Sequence, residues 1–247
     1  MQWTNQAIIL SATKYGESSG IVTMLTSEHG LCKGLVRGIT GKKQCGIYQT
    51  GNLVEATWNA RLAEHLGNFS SEIIKSNAAL ILDSKEKLSA LVAISSLLEK
   101  TLPERDPAPD IFFGMITFLS SLTADVKWIK DYIFLELNLL SHLGFGLDLS
   151  SCAATGSYNN LTYISPKSGR AVSQEAGEPY KERLFKIPYF LINGEEKENL
   201  EEINNALAIC AYFLEKYVFK PHNTQMPVAS IRFRETIKHY MMEKETA

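Results

Sequence analysis

Cysteine is scarce and scattered in this chain: Cys32, Cys45, Cys152 and Cys210 are spread over 247 residues, and no two of them form a C-x-x-C pair. Taken alone, that spacing argues against a disulfide framework and against a structural zinc site. No run approaches the 18 apolar residues of a membrane-spanning helix. The opening Met1-Gln2-Trp3-Thr4-Asn5 lacks the basic and apolar regions of a signal peptide. A cytoplasmic location and no membrane contact are therefore the expectation.

Catalytic signatures are missing as well. Gly41-Lys42-Lys43 resembles the end of a phosphate-binding G-x-x-x-x-G-K-[ST] loop, but Val36 stands at the first glycine and Lys43 replaces the magnesium-binding hydroxyl. There is no G-x-G-x-x-G, G-x-S-x-G or H-E-x-x-H, and the histidines His29, His65, His142, His222 and His239 are not grouped as metal ligands. The first 80 residues hold only five acidic residues, well separated, whereas a metal-dependent nuclease needs clustered carboxylates. The expectation is a protein that is not an enzyme and carries no cofactor.

What is present changes character along the chain. The first 80 residues carry seven Lys/Arg against five Asp/Glu, within a whole-chain net charge of −2. Short apolar or alternating runs occur at Ala7–Leu10, Ile21–Leu25, Leu31–Ile39, Leu53–Trp58 and Asn68–Lys75, separated by Gly-, Ser- and Asn-rich turns. Five short strands fit an OB-fold barrel, and periodicity alone fits an SH3-like barrel equally well. Helical spacing then takes over. Ser84–Lys100 reads as a helix with Asp83 as N-cap, Pro109–Leu122 as a second, and Asp125–Leu143 as the longest apolar helix, stopped by Gly144. Residues 146–178 read as turns and short hairpins around one strand-like run, Leu161–Ile164. Helices resume near Pro179, with an amphipathic helix over Glu198–Val218 and a last one over Pro227–Met242. The reading is an α+β chain: residues 1–80 a five-stranded barrel, residues 81–247 an all-α domain with a loop and hairpin insert at about 148–178.

Several phrases, in order, resemble RecO proteins, closest to alphaproteobacterial members: Tyr15-Gly16-Glu17, Leu25-Thr26-Ser27-Glu28-His29-Gly30, Val36-Arg37-Gly38, Gln49-Thr50-Gly51-Asn52, Trp58-Asn59-Ala60-Arg61, Leu102-Pro103-Glu104-Arg105, Leu143-Gly144-Phe145-Gly146 and Tyr163-Ile164-Ser165-Pro166. The resemblance covers about residues 1–190. It implies an OB-fold followed by a helical domain, binding of single- and double-stranded DNA, and annealing of complementary strands. It also implies engagement of the C-terminal tail of single-stranded-DNA-binding protein and, with RecR, loading of RecA in the RecF pathway of DNA repair and recombination. Many members carry two C-x-x-C pairs in the insert. Here those positions read Cys152, Thr155, Ser173 and Ala176, a degenerate zinc-finger-like set that keeps one thiol. Zinc needs about four good ligands, so no metal is expected. Pro166, Gly169 and the Tyr158 and Tyr163 rings are the expected structural parts, with Cys152 a relic thiol.

A single-strand binder needs cations along the backbone path and aromatic faces for bases. The first candidates are Arg37, Lys42 and Lys43, the lysines lying in an expected loop after the third strand. Lys14, Lys33 and Arg61 extend that set. Tyr48 is the stacking candidate, and Trp58 reads as core. Arg232 and Arg234 in the last helix either extend a DNA surface or pair with the acidic stretch 195–202. The alternative to a DNA-binding mediator is a protein-only adaptor that uses the barrel as a docking platform.

Overall fold

The computed structural model describes residues 1–62, 64–194 and 199–246. It divides into two compact units, Met1–Trp128 with Pro227–Thr236 and Ile129–Met226 with Ile237–Ala247.

Five strands open the first unit: β1 (Gln2–Tyr15), β2 (Ser19–Thr26), β3 (Gly30–Val36), β4 (Leu53–Asn59) and β5 (Asn68–Lys75), with a short helix α1 (Lys42–Ile47) between β3 and β4. They close into a barrel in the order β1-β2-β3-β5-β4, and β1 also pairs with β4. Every pairing is antiparallel except β3 with β5, which meet at Leu35 and Asn68. This order and the helix between β3 and β4 fit the OB-fold and decide against the SH3-like alternative.

Period-two alternation builds the interior. Ile9, Val22, Met24, Cys32, Val54, Ala56, Trp58 and Phe69 point inward and are buried. The opposite faces of β1 to β3 are buried too, at Ile8, Leu10, Leu25 and Leu31. Two helices account for this second layer: α2 (Lys85–Thr101) packs on β1, and α3 (Pro109–Ala124) packs on β2. Two of the hydroxyls caught between them are satisfied. Ser11 and Thr23 both donate to Glu99 Oε1, at 3.0 and 2.7 Å. Helix α2 starts at Ser84, whose hydroxyl accepts from the Lys87 amide, so Ser84 rather than Asp83 is the cap. Asp125 does not begin the next helix. It takes a left-handed conformation (φ +58°) that ends α3.

The second unit holds most of α4 (Trp128–His142), β6 (Leu161–Ile164), β7 (Ala171–Ser173), the single-turn α5 (Gln174–Gly177), β8 (Phe185–Lys186), the single-turn α6 (Phe190–Asn193) and α7 (Leu200–Leu214). The last helix, α8, is Val228–Thr246. Helix α4 is buried on most of its circumference, including Tyr132, Ile133, Leu135, Leu139 and Leu140. At 15 residues it is not the longest, since α2, α3 and α8 exceed it. The expected hairpins form a three-stranded sheet in the order β7-β6-β8. Helix does not resume cleanly at Pro179: a 3₁₀ segment, Glu178–Arg183, leads into β8 instead. Helix α7 continues as a π-type turn over Glu215–Phe219.

Candidate nucleic-acid interface

The loop expected around Lys42 and Lys43 is a helix, which corrects that reading. Gly41 caps α1 without a side chain, so local sequence gives the helix little support. Its support comes from the buried Asn52. The Asn52 amide donates to the carbonyls of Gly46 and Ile47, at 2.9 and 3.1 Å, in the last turn of α1. Its Oδ1 accepts the Ala78 amide at 3.1 Å. Ile47 and Tyr48 then seat on the barrel core. The opposite end of α1, with Lys42 and Lys43, faces solvent.

Beside α1 lies a groove of about 470 Å³, lined by Leu35, Arg37, Gln44, Asn59, Asn68 and Ser70 among others. Arg37 is exposed on it, just past the end of β3. Lys14 sits at the same end of the sheet: it pairs with Gly20, which pairs with Val36. Arg61 is exposed two residues past the end of β4. Register thus brings Lys14 toward Arg37, Arg61 follows the groove-lining Asn59, and α1 adds Lys42 and Lys43.

The remaining candidates are placed differently. Lys33 is ion-paired with Glu104 on the outer face of β3. Tyr48 is 4% exposed, because α1 turns it into the core, and burial raises its phenol above the ordinary range. It lines the same groove as a largely covered wall, not as a ring projecting from a loop. Arg232 is exposed on α8, whereas Arg234 is half-buried and donates to the Ser230 carbonyl one turn back, at 2.9 Å. Two residues apart on a helix, they point to nearly opposite sides and do not form one surface. Glu195, Glu196, Lys197 and Glu198 of the acidic stretch lie outside the described residues. Within the rest, Glu201 is 3.9 Å from Lys186, and Glu202 accepts the Tyr189 amide at 3.2 Å.

Aromatic faces occur at a place the candidate set did not include. Trp3 stacks on His29 with 4.3 Å between centroids and on Trp58 at 5.9 Å. The Arg105 guanidinium lies over Trp58 at 5.5 Å. Trp58 is buried, in agreement with the core reading, yet it forms one wall of a cavity of about 500 Å³. The available sequence signal was the pair of tryptophans at the start of β1 and the end of β4.

The insert shows how one thiol serves a degenerate knuckle. Cys152 is buried, and its sulfur accepts the Ser173 amide at 3.2 Å. The Gly156 amide closes back on the Cys152 carbonyl at 2.8 Å. Three of the four aligned positions, Cys152, Thr155 and Ser173, therefore meet through hydrogen bonds. One thiol, two hydroxyls and a methyl do not fit a zinc site, and the described residues hold no group of three His, Cys, Asp or Glu placed for a metal. Tyr163 is structural as expected, donating to Glu178 at 2.9 Å, but Tyr158 is 78% exposed and braces nothing.

Burial raises the Cys152 thiol, but the hydrogen bonds from Ser173 and Thr155 together outweigh it and bring it down to about 6, from an ordinary 9.0. A depressed folded-state value stabilises the fold in full above the unfolded value and ceases to do so once pH falls through the folded one. The stability gap between wild type and Cys152→Ala is therefore expected to narrow as pH drops from 9 to 6. Urea midpoints of the pair at the two pH values measure it.

Comparison with known proteins agrees with this architecture. The family model for the Recombination protein O N terminal matches residues 1–77, and that for the Recombination protein O C terminal matches residues 83–226. This chain belongs to the RecO family. It is 38% identical over 246 residues to a DNA repair protein RecO of Rhodospirillum rubrum, covering 97% of this chain and 98% of the relative. It is 41% identical over 228 residues to the RecO of Bartonella quintana, covering 92% and 93%. The RecO of Sinorhizobium medicae is 41% identical over 221 residues, covering 90% and 88%. Such a RecO chain is a DNA repair protein. No helix among its described residues is long and apolar enough to cross a membrane.

Proposed function

We propose that this RecO chain is a non-enzymatic recombination mediator: it binds single- and double-stranded DNA and anneals complementary strands. With RecR it helps RecA onto DNA coated by single-stranded-DNA-binding protein, whose C-terminal tail it engages. The observation that carries the DNA half of this reading is the groove lined by Arg37 beside the exposed Lys42 and Lys43 on an OB-type barrel. Long cationic side chains at a barrel end suit a phosphate backbone, and the polar lining of Gln44, Asn59, Asn68 and Ser70 suits sugar and phosphate oxygens. Annealing makes and breaks no covalent bond. Two polyanions repel, and a protein that neutralises phosphates on both lowers that barrier without a catalytic group.

The test is annealing of complementary oligonucleotides coated with the cognate single-stranded-DNA-binding protein. Added protein is expected to speed the reaction in the absence of nucleotide or magnesium. No acceleration, together with no binding to the bare strands, would leave the protein-only adaptor as the better reading.

A further inference from the structure

We propose that the aromatic slot of the first unit, built by Trp3, His29, Trp58 and Arg105, takes up an unstacked base of single-stranded DNA. The inference rests on the DNA-binding reading above and gives that reading a base site distinct from the phosphate groove.

The slot is made of parallel planes. His29 and Trp3 are inclined by 26° and Trp3 and Trp58 by 14°, so the three rings form a pile, not an edge-to-face cluster. A pile of this kind is extended by another flat π system. The Arg105 guanidinium over Trp58 adds a second planar cation–π partner. The cavity against these groups, about 500 Å³, lies in the size range of small-ligand pockets.

The walls are fixed. The Trp58 indole N–H donates to the Leu66 carbonyl at 3.0 Å. Arg105 adopts a left-handed backbone (φ +62°), which a non-glycine residue holds only at an energetic cost. That conformation is tied on both sides: its amide donates to the Leu31 carbonyl at 2.8 Å, and its Nη2 donates to the His65 carbonyl at 2.7 Å. Gly30, next to His29, is needed for the same approach. Its φ is +61°, and a Cβ there would lie 1.8 Å from the Asp106 carbonyl oxygen. A segment from beyond α2 is thus clamped on the start of β3, which sets the guanidinium over the indole.

The chemistry selects a base over a phosphate. Glu28 lines the slot and opposes Arg105, so the site does not concentrate positive charge. Burial pushes the Cys32 thiol among the lining residues up to about 11, so it adds no charge at neutral pH. The slot also adjoins the cationic groove. Phe69 lines the groove and meets Trp3 edge-on at 6.1 Å, and Trp58 and Asn59, one in each lining, are consecutive. A strand whose phosphates follow Arg37 and α1 can place a base on the pile.

The experiment compares full-length wild type, Arg105→Gly and His29→Ala against a dT oligomer and an abasic oligomer of equal length. Glycine at 105 keeps the left-handed backbone while removing the guanidinium, so this variant is chosen to fold, and circular dichroism verifies it. Each variant is expected to bind the dT oligomer about 10-fold more weakly, or roughly 1.4 kcal/mol, with abasic binding unchanged. Tryptophan emission of the wild type is expected to be quenched by dT and not by the abasic strand. Equal loss on both oligomers, or no loss on either, overturns the slot. Wild type that binds both oligomers equally well overturns the slot while leaving the phosphate groove standing. Wild type that binds neither overturns the DNA reading and the slot with it.

Discussion

Replacing Asn52 by alanine is expected to destabilise the first unit by about 3 kcal/mol, lowering its melting temperature by about 10 °C. Asn52 is fully buried, and it is the only side chain that both donates to the last turn of α1 and accepts from Ala78 among the described residues. Its loss leaves the Ile47 carbonyl and the Ala78 amide without partners in the interior. Each such group costs roughly 1–3 kcal/mol, whereas the Gly46 carbonyl is near enough to solvent to recover a water. The functional consequence follows from position. Helix α1 has no side-chain N-cap, so Asn52 is what orients Lys42 and Lys43. Asn52→Ala is expected to lose DNA affinity at temperatures where the barrel is still folded. Calorimetry and strand binding on the same sample measure both, and a melting shift under 2 °C would remove Asn52 from this role.

The second large effect is expected from neutralising the groove. Changing Arg37, Lys42 and Lys43 together to alanine should weaken oligo-dT binding on the order of a hundredfold at 50 mM salt and roughly tenfold at 200 mM. The loss shrinks with salt because the three cations act mainly by releasing counterions from the strand. It should be the same for dT, dC and dA oligomers, since phosphate contacts carry no base information. All three side chains are exposed, so the fold should keep its stability to within about 0.5 kcal/mol. A variant that loses binding only for one base would point to base readout in the groove instead.

Much of the architecture is readable from residue order. Alternation in Leu53–Trp58 marks a strand with one buried face, and the β-branched run Ile21–Leu25 marks one buried on both faces. The polar start of β1, Gln2 to Gln6, carries no such signal: it is a strand because it pairs with β4, a contact distant in sequence. Helix α1 is silent for a related reason. Gly41-Lys42-Lys43-Gln44-Cys45-Gly46 has turn composition, and its helical form is imposed by Asn52 and by Ile47 entering the core. The same turn of chain buries Tyr48, which in a loop would have been free to stack. Charge was the legible part of the site, since Arg37 and the lysine pair needed only exposure. The slot was not legible. It joins residues 3, 29, 58 and 105, and its decisive feature, the left-handed backbone of Arg105, follows from hydrogen bonds to Leu31 and His65 that no local pattern announces. Cys152 lies between these cases: the missing thiols were visible, but its role as acceptor for Ser173 required the fold.

The claim on which the functional account stands is that α1 grips a nucleotide backbone through its two lysines. The most direct measurement is the slope of log affinity for oligo-dT against log salt, compared between wild type and the Lys42→Ala/Lys43→Ala double variant. Each neutralised phosphate on a single strand contributes about 0.7, so the account predicts a slope smaller by about 1 to 1.5 in the variant. Parallel lines for the two proteins would contradict it and place the DNA path elsewhere on the molecule.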